Sequence, residues 1–184
     1  MHHIACFGDS LIQGFPFGEQ YSWIATVEVI GKIRMLNYGE CGACCDDIFE
    51  RLRNSLLPDY VRYIIFLGGA NDILQLRPQN VIIKDLKKVL SWCSERKLNL
   101  CIVLPFISAD KYLNIRLKDL KESIKKESGR AFLLDVQPAI GMNESDIRKA
   151  YLDGVHPTVE TYRAIGAYVV PFLKEWLEST REFC

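Results

Sequence analysis

The chain has 184 residues, of which 49% are hydrophobic and 25% charged, a balance typical of one globular domain. Its 23 basic and 23 acidic side chains cancel, which argues against nucleic acid as a partner. No apolar run approaches the ~20 residues needed to cross a bilayer, and the N-terminus lacks the pattern of a secretion signal. We therefore expect a single cytoplasmic domain over residues 1–184, without stable membrane insertion.

The seven cysteines do not predict a disulfide framework, because the number is odd and the chain is long enough to form its own core. Most of them lie inside apolar runs, which is typical of small buried side chains. Cys41, Cys44 and Cys45 lie close together and leave a metal or redox site as an alternative. Because no second ligand cluster accompanies them, we predict no metal and no organic cofactor.

Five short apolar runs predict buried strands, at residues 3–7, 33–38, 61–67, 98–104 and 131–136. Periodic apolar residues predict helices over residues 21–30, 113–124 and 158–177, and further helices begin at Asp46 and near Pro78. Residues 137–152 are irregular, with a short helix over 144–151, and Pro171 is expected to kink the last helix. Strands that alternate with helices predict a parallel sheet covered on both faces.

The first three predicted strands each end in a polar turn that contains glycine. These turns hold Ser10, Gly39 and Asn71 respectively. Because the carboxyl ends of parallel strands meet at one edge of a sheet, where ligands bind, we expect the three residues to lie close together. A serine hydroxyl just beyond a buried strand is a candidate nucleophile. It requires a base, an orienting carboxylate and donors for the negative charge that develops.

His156 is the candidate base, because the other two histidines lie at the very N-terminus. Asp153 precedes it by three residues, and Gly154 permits a tight turn that brings the carboxylate to the imidazole. A carboxylate there fixes the tautomer and stabilises the imidazolium. Pro157 biases His156 away from the helical conformation, which favours a rigid corner.

Three groups are candidate donors to an oxyanion: the backbone N–H of Ser10, the backbone N–H of Gly39 and the side-chain amide of Asn71. Taken singly, Gly39 and Asn71 are also explained by ordinary turn chemistry after a strand. The neighbouring loops supply the candidate substrate-binding residues Asp9, Leu11, Phe15, Phe17, Phe106 and Val155. For the aromatic residues among them, covering the sheet is an equally good interpretation.

Four blocks of the sequence resemble the motifs of the GDSL-type, or SGNH, hydrolases. They are residues 8–11, Gly39 after the second strand, residues 69–72 and residues 153–157, in the family's order. The resemblance implies a flavodoxin-like, three-layer α/β/α fold. It also implies hydrolysis of a small or medium carboxylic ester or thioester through an acyl-enzyme.

Matching the motifs residue by residue implies a role for each member of the site. Ser10 is the nucleophile, His156 its base and Asp153 the partner of that base. The oxyanion hole consists of Ser10, Gly39 and Asn71. Asp9 is structural and anchors the turn beneath the nucleophile.

One block departs from the family's pattern, because Glu40 and Cys41 follow Gly39 where members often carry a small or apolar residue and then serine. A carboxylate directed into the site would oppose an oxyanion. We therefore expect Glu40 to point to solvent or to pair with a cation. The departure bears on substrate preference and leaves the chemistry unchanged.

A non-catalytic flavodoxin-like domain that binds a nucleotide or phosphate at the same sheet edge is the alternative from another class. Against it, the first loop lacks a glycine-rich phosphate cradle and has no lysine nearby. We predict a serine esterase or acylhydrolase that acts on a small-molecule ester. The sequence leaves the acyl chain, the leaving group and the oligomeric state open.

Overall fold

A computed structural model describes residues 2–180, which form a parallel sheet with helices on both faces. Its strands are β1 (His3–Gly8), β2 (Arg34–Gly39), β3 (Tyr63–Leu67), β4 (Asn99–Val103) and β5 (Phe132–Leu134). They lie in the order β2-β1-β3-β4-β5. This order is that of the flavodoxin-like doubly wound sheets, whose ligands bind at the carboxyl ends of the first and third strands. The predicted fold class is confirmed.

The helices within residues 2–180 vary widely in length. In chain order they are α1 (Ser10–Gln13), α2 (Trp23–Thr26), α3 (Cys45–Asn54), α4 (Ala70–Leu74), α5 (Gln79–Glu95), α6 (Lys111–Glu127), α7 (Gln137–Ile140), α8 (Glu144–Ala150) and α9 (Val159–Ser179). A 3₁₀ turn (Glu19–Tyr21) precedes α2 and a π-helical segment (Val27–Gly31) follows it. None of the helices in this part of the chain is long and apolar enough to span a bilayer.

A separate core covers each face of the sheet. Successive side chains of β1 point to opposite faces, so Ile4 and Cys6 pack with α2 and α9, whereas Ala5 and Phe7 pack with α3, α5 and α6. Every residue of β3 is buried. Burial on both faces explains why β1 and β3 are almost continuously apolar in the sequence.

The predicted helix over residues 21–30 is divided in the structure. Ser22 caps α2, since its hydroxyl accepts from the N–H of Ile24 at 3.4 Å, but the helix gives way to the π-helical segment. The C-cap of this segment is Lys32, which follows Gly31 and has the left-handed conformation, with φ 56°. Helix α9 is continuous from Val159 to Ser179, with Pro171 inside it.

The short helices α1, α4 and α7 are not predicted from the sequence. Each has only four or five residues, too few for an apolar period to be recognised. Two of them carry predicted site residues, because α1 begins at Ser10 and α4 contains Asn71. The turns predicted after the first and third strands are therefore helix beginnings.

Gly166 lies where α9 crosses α2, and its replacement tests that packing. A Cβ at this position would lie 2.5 Å from the carbonyl oxygen of Trp23. Alanine gains about 1 kcal/mol over glycine within a helix, but because the close contact is with a backbone atom that must shift, overpacking should cost about 2–3 kcal/mol, the upper part of its usual range. We therefore expect Gly166→Ala to lower the free energy of unfolding by about 1–2 kcal/mol in urea denaturation. The exchange Ala167→Gly, at the exposed neighbouring position, measures the helix propensity alone. A Gly166→Ala protein as stable as the wild type would contradict the close approach.

Candidate active site

The end of β1 holds Ser10 at the carboxyl edge of the sheet. Gly8 is required there, because a Cβ would lie 2.7 Å from the carbonyl oxygen of Leu67 on β3. Asp9 is the N-cap of α1, and its Oδ1 accepts the N–H of Leu11 at 2.9 Å. Ser10 is consequently the first residue of α1, and its own N–H has no acceptor within the helix.

Ser10, His156 and Asp153 form a continuous hydrogen-bonded chain. The Ser10 hydroxyl lies 3.1 Å from Nε2 of His156, although 146 positions separate the two residues. The other ring nitrogen, Nδ1, lies 2.6 Å from Oδ2 of Asp153. Both separations fall within hydrogen-bond distance. The structure thus brings the predicted nucleophile, base and carboxylate into one line.

The loop that carries Asp153 and His156 is braced at its base. The N–H of Leu152 donates to the His156 carbonyl at 2.9 Å, and the N–H of Ala109 donates to the Gly154 carbonyl at 2.8 Å. Gly154 has a φ of 93°, a conformation that favours glycine. The backbone therefore fixes the imidazole from both sides of the turn.

The environment of Asp153 keeps its carboxylate ionised. Partial burial raises the pKa, but hydrogen bonds from the backbone and ring of His156 and from the N–H of Val155 outweigh it and lower the pKa to about 2. An anion at Oδ2 favours the tautomer with the proton on Nδ1. Nε2 is then free to accept the Ser10 hydroxyl.

Asn71 faces the same cleft from α4. Its Nδ2 donates to the Ala43 carbonyl at 3.0 Å and lies 3.5 Å from Oδ2 of Asp9. The second separation is at the limit of a hydrogen bond, so one N–H of this amide is only weakly held. The open cleft has a volume of about 160 Å³ and is lined by Asp9, Ser10, Leu11, Ala70, Asn71, Leu74, Asp153, Val155 and His156.

Gly39 is engaged in contacts of its own. Its N–H donates to Oδ1 of Asn37 at 2.9 Å, and a Cβ would lie 2.2 Å from the backbone nitrogen of Gln13. Glycine is needed here because β2 packs closely against α1. To serve as an oxyanion donor, as the sequence predicts, this N–H must first leave the Asn37 side chain.

Glu40 forms an ion pair with Arg51, and its side chain is 66% exposed. The expectation that this carboxylate finds solvent or a cation is confirmed. Arg51 also donates to the carbonyl of Gly8 at 2.9 Å, directly beneath the turn that carries Ser10. The negative charge of Glu40 is thus paired with the guanidinium of Arg51 near solvent.

The three predicted pocket aromatics lie in different places. The ring of Phe15 is 4.7 Å from the imidazole of His156. The Tyr162 hydroxyl donates a hydrogen bond to the Phe15 carbonyl at 3.0 Å. Phe106 lines a small apolar cavity next to the cleft. Phe17 packs against the core beneath α9 and is not among the residues that line the cleft.

Cys44, one of the three neighbouring cysteines, lies with two aspartates beside an arginine. Ligand atoms of Cys44, Asp46 and Asp72 lie within 4.8 Å of one another. Arg77, however, donates to Asp46 at 2.6 and 2.9 Å and to Asp72 at 2.5 Å. Burial raises the pKa of the Cys44 thiol to about 11, so the thiol stays protonated at neutral pH. A bound guanidinium and a neutral thiol make this cluster a poor metal site.

Comparison with known proteins identifies the family. Residues 6–164 match the GDSL-like Lipase/Acylhydrolase family. The chain belongs to this family. This GDSL hydrolase is accordingly an enzyme that acts on ester bonds. No curated protein sequence matches it significantly.

Solved structures of the family share its fold. A member of the lipolytic protein G-D-S-L family from Veillonella parvula has a TM-score of 0.82 and 23% identity, covering 95% of this chain and 99% of that chain. The psychrotrophic esterase EstA from Pseudoalteromonas sp., inhibited by monoethylphosphonate, has a TM-score of 0.80 and 16% identity, covering 97% and 100%. The lipase/acylhydrolase from Enterococcus faecalis has a TM-score of 0.77 and 17% identity, covering 95% and 96%.

The protonation of Asp9 generates a testable pH dependence. Complete burial raises its pKa from 3.8 to about 7, against the lowering effect of the Leu11 N–H and of positive charge on His156. The folded state therefore holds the Asp9 proton more tightly than the unfolded state does. The stabilisation that this gives is complete below about pH 4 and is lost as the pH rises through 7.

Asp9→Asn removes this titration and keeps an N-cap oxygen for α1. We expect the free energy of unfolding of the wild type, relative to that of Asp9→Asn, to fall between pH 4 and pH 8. The fall should be a few kcal/mol, ~4 kcal/mol at most. Urea denaturation of both proteins across this range measures it. A difference that does not change with pH would rule out the buried, proton-binding carboxyl.

Proposed function

We propose that this GDSL hydrolase cleaves a small-molecule carboxylic ester or thioester through an acyl-enzyme on Ser10. The observation that carries the proposal is the unbroken chain from the Ser10 hydroxyl through the His156 ring to the Asp153 carboxylate. A hydroxyl 3.1 Å from an imidazole nitrogen is within reach of proton transfer. The Ser10 hydroxyl is a weak nucleophile without such a base.

In the acylation step, Ser10 Oγ bonds to the substrate carbonyl carbon while its proton passes to Nε2 of His156. The bond from that carbon to the alcohol oxygen or thiol sulfur then breaks, and His156 gives the proton to the leaving group. In deacylation, water adds to the acyl carbon as His156 takes one of its protons. The proton returns to Ser10 when the acid leaves, and Asp153 remains a carboxylate throughout.

Both steps pass through an oxyanion, for which we assign the Ser10 N–H and one N–H of the Asn71 amide as donors. For Gly39 to be the third donor, its N–H must give up a side-chain hydrogen bond. The N–H of Gly42 has no acceptor within residues 2–180, and the adjacent Ala43 is bonded to the Asn71 amide. We therefore propose Gly42 as the third donor, with Gly39 a position of close packing.

Covalent labelling tests the nucleophile and base together. The Pseudoalteromonas relative is inhibited by a phosphonate, so a fluorophosphonate is a suitable probe. We expect wild type to be labelled and Ser10→Ala not to be. Because nucleophile and base act as a unit, His156→Ala should hydrolyse p-nitrophenyl acetate no faster than Ser10→Ala. The exposed Ser91→Ala is the matched control and should keep both activities.

Two outcomes would contradict this assignment. Clear residual hydrolysis by His156→Ala, well above that of Ser10→Ala, would indicate another base. No labelling of folded wild type would exclude Ser10 as the activated nucleophile.

Replacement of Asn71 tests the oxyanion hole. Asn71→Ala removes a donor that acts on charge present only in the transition state, so kcat should fall by about 100-fold or more with little change in KM. Steady-state kinetics on p-nitrophenyl acetate measure both constants. Asn54→Ala, at the exposed end of α3, is the control for an amide loss outside the site. Unchanged turnover by a folded Asn71→Ala protein would exclude this residue from the oxyanion hole.

A further inference from the structure

We infer that the acyl part of the substrate is short, about two to four carbons, and that the alcohol or thiol part faces an open rim of the cleft. This inference rests on the acyl-enzyme proposed for Ser10. It is carried by a small apolar cavity that adjoins the catalytic cleft on one side only.

The position of His156 decides which side of Ser10 each half of the substrate occupies. The imidazole must deliver a proton to the leaving atom, so the leaving group lies on the His156 side of the cleft. Val155 lines this side of the cleft, and Phe15, which is 39% exposed, lies against the His156 ring. The leaving group therefore faces an open rim that sets no limit on its size.

The acyl group lies on the opposite side, towards Leu11 and Ala70. These two residues line the catalytic cleft and also a second cavity. Neither His156 nor its neighbours in the loop border this cavity. Its remaining walls come from the ends of β3 and β4 and from α6, and include Leu67, Val103, Leu104, Phe106 and Leu117. Every side chain that lines it is apolar, so it favours a hydrocarbon group.

The size of the cavity limits the acyl chain. It holds about 20 Å³, room for roughly one water molecule or one methyl group. The side chains of Val103, Leu104 and Leu117 are at most 3% exposed. Because they are closely packed, they do not move aside easily to enlarge the cavity. A longer chain must displace them or run outward along Leu74, which is 51% exposed and buries little of it.

The test is the chain-length dependence of kcat/KM for p-nitrophenyl acetate, butyrate and octanoate. We expect octanoate to be at least about tenfold slower than butyrate, because a single misfitting methylene in an apolar pocket is worth about 10–200-fold. Octanoate hydrolysed as fast as butyrate would overturn the short-acyl inference. Fluorophosphonate labelling of the same preparations reports separately on Ser10, and a failure there would refute the acyl-enzyme and this inference with it.

A variant pair tests whether this cavity is responsible. Leu117→Ala opens the cavity at α6 and should raise the octanoate-to-butyrate ratio by about tenfold or more. Leu113→Ala, one turn earlier in the same helix and similarly buried, does not border the cavity and should leave the ratio unchanged. If Leu117→Ala does not fold, Phe106→Ala, in a loop and only half-buried, should give the same shift. Folded variants that leave the ratio unchanged would exclude the cavity as the acyl site.

Discussion

The hydrogen bond from the Leu11 N–H to the Asp9 carboxyl is the interaction on which the rest of the site depends. Asp9 is the single residue between β1 and α1, and Ser10 is the first residue of that helix. The same carboxyl group lies 3.5 Å from the amide of Asn71, so one buried side chain caps the helix that begins at the proposed nucleophile and also adjoins a proposed oxyanion donor. A strand, a turn and two very short helices are enough to do this, because the sheet beneath them is buried on both faces.

Two carboxyl groups near Ser10 have pKa values shifted in opposite directions, and their surroundings explain the difference. Asp9 is completely buried, which raises its pKa to about 7, whereas Asp153 accepts several N–H groups near solvent and has a pKa of about 2. Such a division of roles between two acids in one site follows from environment and not from residue type. Asp153 is suited to stabilise a cation on His156, and Asp9 to hold backbone in place.

The sheet and the residues of the hydrogen-bonded chain could be predicted from the sequence, because apolar runs mark buried strands and polar turns mark their carboxyl ends. The exposure of Glu40 and its pairing with a cation could also be predicted from its charge alone. The short helices were beyond prediction, since four or five residues show no period. Gly39 illustrates a different limit: a glycine after a strand is needed either for close packing or for a free N–H, and spacing does not distinguish the two. Phe15 and Phe17 likewise look equivalent in sequence, and only the path of the loop separates them.

The hydrogen bond between Ala109 and Gly154 links two loops that, in the proposed mechanism, contact different halves of the substrate. One loop contains Phe106, which lines the proposed acyl cavity, and the other carries His156, the proposed general base. The Tyr151 hydroxyl, which donates to the carbonyl of Ile107 at 2.5 Å, adds a second tether between the same segments. An oversized acyl chain that pushed the first loop outward would therefore pull on the turn that aligns the imidazole. An acyl group that fits poorly would therefore slow proton transfer by His156 as well as weaken substrate binding.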